Sequence, residues 1–108
     1  MNSRRVGSGD FSIGSKVWPG MSKVIEEMGE LGQVLGKLMG TGGEANHWDG
    51  SDLRKRVLEE AADVHAAIYF FIGQNLTEEE QLAWTERVYA KRRRFEEWHA
   101  GGTHGVAR

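Results

Sequence analysis

Carboxylates stand at three-residue intervals in two runs, Glu26-Glu27-Met28-Gly29-Glu30 and Glu59-Glu60-Ala61-Ala62-Asp63. On a helix, residues i and i+3 lie about one turn apart on the same side. Glu27 therefore pairs with Glu30, and Glu60 with Asp63. At roughly 100° per residue, Glu60 falls inside the apolar arc of Leu53, Val57, Ala61, Val64, Ala67, Ile68, Phe71 and Ile72, with Asp63 at its edge. Glu27 borders the apolar face of its own segment beside Leu31 and Leu38, and Glu30 lies just beyond. Two helices packed by these faces bring the four acids toward one another.

Such crowding needs a reason. An unpaired buried carboxylate is costly, and two like charges ~4 Å apart repel by about 4 kcal/mol at an effective dielectric of 20. The acids could be solvated, could pair with Lys or Arg in a structural network, or could hold divalent cations. Mg²⁺ and Mn²⁺ prefer hard oxygen ligands, and metal binding is the reading that relieves the repulsion best. A third segment supplies the opposite charge: Lys91 sits in an apolar stripe of Trp84, Val88, Phe95 and Trp98, and Arg92, Arg93 and Arg94 follow it. A lysine there can cover the core with its stem. Beside metal ions, a Lys/Arg cluster is also equipment for holding a polyphosphate.

Three helices must position these groups, and no strand pattern competes with them. The spacing predicts a first helix over about 19–39, opened by Pro19 and ended by Gly40, Gly42 and Gly43. A second, capped by Ser51 or Asp49, is expected over about 52–72, stopping near Gly73-Gln74-Asn75. Thr77 and Glu80 form a capping-box pattern that opens a third, ending near Trp98 or His99. Gly29, Gly32, Gly36 and Gly40 line one side of the first helix and suggest a groove where another backbone approaches closely. The predicted organisation is a flexible segment over 1–15, one helical domain over 16–99 and a loose tail over 100–108.

The 108 residues allow one domain with a thin core, which a multimer would help. The longest apolar run, Ala66 to Ile72, is far short of the ~20 residues of a membrane span. With Arg4 and Arg5 but no apolar stretch behind them, a secretory signal is not expected. No cysteine is present, which removes disulfides, thiolate metal sites and thiol nucleophiles, and a cytoplasmic setting is expected. A net charge of −2 argues against a general polyanion binder such as a nucleic-acid protein. His65 is expected at the edge of its helix face; His47, His99 and His104 fall in loop or terminal segments, without zinc or di-iron spacing. Trp48 is a candidate base contact, although closing a Gly-rich loop over the core is the simpler role.

The two acidic runs, in this order and followed by a basic helix, resemble the MazG-like all-α nucleoside triphosphate pyrophosphohydrolases, whose signature is E-E-x-x-E on one helix and E-x-x-D on the next. Glu26, Glu27 and Glu30 match the first half, Glu60 and Asp63 the second, and the likeness covers about residues 17–98. The resemblance implies an all-α bundle of three main helices per chain, completed as a four-helix-type bundle in a homodimer or homotetramer. It implies Mg²⁺-dependent hydrolysis of an NTP or dNTP between the α and β phosphorus, giving a monophosphate and pyrophosphate. Glu27, Glu30, Glu60 and Asp63 would hold the metal, and Glu26 or Glu27 would act on the attacking water. Lys91 and Arg94 would neutralise the β and γ phosphates. The family spaces its lysine from arginines three and four residues on, whereas here the run is unbroken from Lys91 to Arg94. Two other readings stay open: a phosphoribosyl-ATP pyrophosphohydrolase, and a catalytically silent helical interaction protein whose acids pair with Lys91 and its neighbours.

Overall fold

The computed structural model describes residues 11–45 and 52–102. Three helices, α1 (Met21–Gly40), α2 (Leu53–Asn75) and α3 (Glu78–Gly101), make it all-α, with no strand among the described residues. The expected caps Ser51 and Asp49, the loop bearing His47 and Trp48, His104 and most of both terminal segments lie outside them. No helix among the described residues is long and apolar enough to cross a membrane.

The chain divides into two compact units, Met1–Asn75 and Leu76–Arg108. In the first, α1 and α2 pack against each other. The Asn75 amide at the end of α2 donates to Pro19 O (2.9 Å) ahead of α1. The Leu53 N–H at the start of α2 donates to Ala45 O (2.7 Å) just after α1, so the two helices run antiparallel.

The first helix starts two residues later than Pro19 suggests. Trp18 (φ 44°) and Gly20 (φ 88°) both occupy the left-handed region, so the chain turns here instead of entering the helix. Gly20 N–H donates to Ser12 O (2.8 Å) and Met21 N–H to Trp18 O (3.1 Å), which makes the Phe11–Gly20 stretch an ordered turn. Trp18 stacks on Phe71 of α2, ring centroids 5.9 Å apart. At the other end the predicted glycine stop holds. Gly43 N–H reaches Leu38 O (2.9 Å) and Gly42 N–H reaches Met39 O (3.0 Å), with positive φ at both glycines. This crossed pair is the Schellman arrangement, which satisfies the last free carbonyls.

The second helix is capped by Asp52, whose carboxylate accepts from Lys55 N–H (3.1 Å). It continues past Ile72 to Asn75, whose amide holds both Phe71 O (2.8 Å) and Pro19 O. Because one side chain satisfies two half-buried carbonyls, Asn75→Ala is expected to cost about 1–3 kcal/mol. Urea unfolding of the two proteins checks this.

The core of this unit is a narrow strip. Val34 and Leu53 are fully buried and Ala67 nearly so, while Ile25, Met28, Leu35, Met39 and Leu58 are exposed. Nothing among the described residues fills the expected glycine groove, since a Cβ at Gly29, Gly32, Gly36 or Gly40 would meet none of them within 4 Å.

In the second unit α3 begins with the predicted capping box. Thr77 Oγ1 accepts from Glu80 N–H (3.1 Å), and the Glu80 carboxylate accepts from Thr77 N–H (2.9 Å). Gly102 (φ 72°) ends the helix, two residues beyond the expected stop. No residue of α3 is buried. Trp84 and Trp98 are half-buried, whereas Val88 and Phe95 are exposed.

Candidate metal centre

Each acid owes its position to its place on one of the paired helices. Glu27 on α1 and Glu60 on α2 turn toward the partner helix and keep only 14% and 15% of their side-chain surface. Glu30, one turn on from Glu27, is exposed at the rim. The three offer carboxylate oxygens that lie within 4.8 Å of one another. Asp63 is exposed and is not part of this group, so three of the four expected ligands converge and the fourth does not. Asp63 stands about 60° round from Glu60, the same offset that Glu30 has from Glu27, and the half-buried residue one turn on from Glu60 is Val64.

The two inner carboxylates are held in the same way. Lys23 stands four residues before Glu27 and binds its Oε2 at 3.5 Å; Arg56 stands four residues before Glu60 and approaches its Oε2 at 3.8 Å. In both residues the other oxygen, Oε1, is buried and without a hydrogen-bond partner. Leaving a buried acceptor unsatisfied costs about 1–3 kcal/mol. At 4.8 Å, two carboxylate charges repel by about 3.5 kcal/mol at an effective dielectric of 20. Two orphaned oxygens in an acidic cluster are the chemistry that a hard divalent cation satisfies. Mg²⁺ binds oxygens at about 2.1 Å in octahedral geometry, so neighbouring ligands stand ~3 Å apart. The cluster, whose oxygens are spread over as much as 4.8 Å, would close inward around such an ion.

Glu26 is exposed and accepts from Lys23 Nζ (3.1 Å) instead of joining the cluster. That hydrogen bond, with the Glu26 and Glu27 charges, raises the Lys23 pKa above its usual value. The stabilisation belongs to the protonated lysine. It is complete below the ordinary lysine pKa and is lost as pH rises through the raised value. The pairing roles of Lys23 and Arg56 were not anticipated from the acid motifs, although their i,i+4 spacing to Glu27 and Glu60 was a legible signal.

On α3, Lys91 and Arg94 line a shallow concavity with Arg87 and Ala90. Lys91 Nζ lies 5.9 Å from the Phe95 ring centroid. Arg92 donates to Glu96 (3.1 Å) and lines an adjoining concavity with Arg87, Val88, Lys91 and Phe95. Trp48 falls outside the described residues. His65 is exposed, beside Tyr69 at 4.3 Å between ring centroids. Compared with protein-family models, with curated proteins and with solved structures, the chain matches none.

Proposed function

We propose that this chain is a Mg²⁺-dependent nucleoside triphosphate pyrophosphohydrolase, with Mn²⁺ as an alternative ion, acting between the α and β phosphates to give a monophosphate and pyrophosphate. The observation that carries the reading is the pair of buried, unpartnered oxygens on Glu27 and Glu60 beside the Glu30 carboxylate. Glu27, Glu30 and Glu60 hold the ion, and Asp63 stands one turn from Glu60 at the rim. A bound dication polarises a phosphate and lowers the pKa of a coordinated water. Among the chain's own groups, Glu26 is the candidate acceptor for that water's proton, with Lys23 fixing its carboxylate. The departing pyrophosphate leaves with the electron pair of the broken P–O bond, and Lys91 and Arg94 are the cations that the family resemblance assigns to the phosphates.

The finer architecture belongs to the same proposal. Ile25, Met28, Leu35, Met39 and Leu58 are uncovered on the α1–α2 unit, and a second copy would complete a four-helix-type bundle as a homodimer or homotetramer. The setting is cytoplasmic, where a chain without cysteine has no disulfide to lose.

The decisive experiment is a pyrophosphate-release screen over NTPs, dNTPs and phosphoribosyl-ATP with Mg²⁺ or Mn²⁺, alongside light scattering for the oligomeric state. Release from at least one substrate is expected; none from any would end the enzymatic reading. One observation favours the second reading, a silent interaction protein: the Lys23–Glu27 and Arg56–Glu60 ion pairs already offset part of the acidic charge. That reading requires no heat of Mn²⁺ binding in calorimetry.

A further inference from the structure

The basic segment of α3 is more ordered than a run of four cations suggests, and one arginine outside that run shares its geometry. Arg87, Lys91 and Arg94 follow one another at four- and three-residue steps, and with Ala90 they surround a concavity of about 140 Å³. Neighbours on a helix face stand three or four residues apart. For Arg87 these are Ala83, Trp84, Ala90 and Lys91; for Lys91 they are Arg87, Val88, Arg94 and Phe95. Neither has an acid within reach on its own helix. Arg94 has one such neighbour, Glu97, and among the described residues no ion pair joins them. Arg92 is different, since Glu96 lies one turn on and takes its guanidinium at 3.1 Å.

Three adjacent cations with no ion pair among the described residues repel one another, which a bound anion would reverse. The size of that anion can be bounded. Arg87 to Arg94 spans seven residues, about 10 Å along the axis, which is too long for one phosphate. No further cation extends the row along its face, since Ala83 and Trp84 precede Arg87 and Glu97 and Trp98 follow Arg94. An extended nucleic-acid backbone running along the helix would find only these three cations, whereas a short phosphate chain is matched by them.

We infer that Arg87, Lys91 and Arg94 form a single row that holds a linear triphosphate, and that Arg87 is the residue that distinguishes a triphosphate from a shorter chain. The inference deepens the pyrophosphohydrolase reading and rests on it for the identity of the substrate. The binding itself requires no metal. Lys91 and Arg94 suffice for two phosphates, and Arg87, one turn toward the helix start, engages the third. Arg92 and Arg93 take no part.

The test is calorimetry on the full chain in EDTA at fixed ionic strength, with tripolyphosphate and pyrophosphate as probes. Wild-type protein is expected to bind tripolyphosphate more tightly than pyrophosphate. Arg87→Gln should weaken tripolyphosphate about tenfold and pyrophosphate less than twofold, Arg87→Lys should retain most of the affinity, and Arg92→Gln should change neither. Arg87 is exposed, and unchanged far-ultraviolet circular dichroism confirms that the variants fold. The proposal is overturned if wild-type protein does not bind tripolyphosphate, if Arg87→Gln binds it normally, or if Arg92→Gln is equally impaired. Tighter binding of a single-stranded oligonucleotide than of tripolyphosphate also overturns it, in favour of a nucleic-acid surface. A Mn²⁺ titration of the same protein separates the two proposals. Absent Mn²⁺ binding with intact tripolyphosphate binding removes only the metal centre, and the converse removes only the row.

Discussion

Glu60→Gln is expected to abolish Mn²⁺ binding and to lower pyrophosphate release by about 100-fold or more. Loss of an outer-shell partner of a metal ligand already costs about 10–100-fold, and Glu60 supplies one of the three carboxylates that converge among the described residues. The same change should make the metal-free protein more stable, by about 1–3 kcal/mol. It removes a charge held within 4.8 Å of two others, and the new amide brings a donor to a cluster in which Glu27 Oε1 has no partner. A loss of function coupled to a gain in stability is hard to obtain from a damaged fold. Calorimetry with Mn²⁺ and urea unfolding in EDTA measure the two halves separately. If the variant were instead destabilised in EDTA, the Arg56–Glu60 pair would be the purpose of the acid, and the structural-network reading would prevail.

The largest purely structural effect is expected at Gly20. Its φ of 88° is one that L-residues adopt at a cost of about 1–2 kcal/mol. A Cβ there would also lie 2.7 and 2.9 Å from two ring atoms of Phe70, so the ring must move. Overpacking of this kind costs a further 1–3 kcal/mol or so. Gly20→Ala should therefore lose about 3 kcal/mol, lowering the Tm by more than ~10 °C for a domain of this size. Gly36 provides the internal control. It is mid-helix with open space around it, and Gly36→Ala should gain about 0.5–1 kcal/mol. The same substitution, sixteen positions apart, is expected to act with opposite sign, and differential scanning calorimetry of both variants tests it.

What could be read in the residues was whatever depends on neighbours along the chain. The three helices, the Thr77–Glu80 capping box, the glycine stop after α1 and the inward placement of Glu27 and Glu60 all follow from periodicity and local hydrogen-bonding chemistry. The start of α1 was misplaced because Pro19 favours a first helical turn, while Trp18 and Gly20 on either side of it adopt left-handed backbone. Nothing local to Trp18 announces that; its stacking on Phe71 is a contact across 53 positions. The overrun of α2 has the same origin, since Asn75 is fixed by a carbonyl 56 positions away. Glu30 and Asp63 each follow an inner acid by three residues, about 60° short of a full turn, yet only Glu30 reaches the cluster. The spacing that suggested both therefore does not decide which one converges. The apolar arcs were likewise wider in sequence than the strip that one chain buries, which is why Met28 and Leu35 are exposed.

The matched cations four residues ahead of Glu27 and Glu60 also bear on how quickly an ion could be captured. By tethering one oxygen of each carboxylate, Lys23 and Arg56 fix the rotamers of both side chains when the protein folds, so this ordering entropy is not charged again to the binding step. Arrival would then require dehydration and an inward closure of the three carboxylates, in which Glu30, exposed at the rim, has the most freedom.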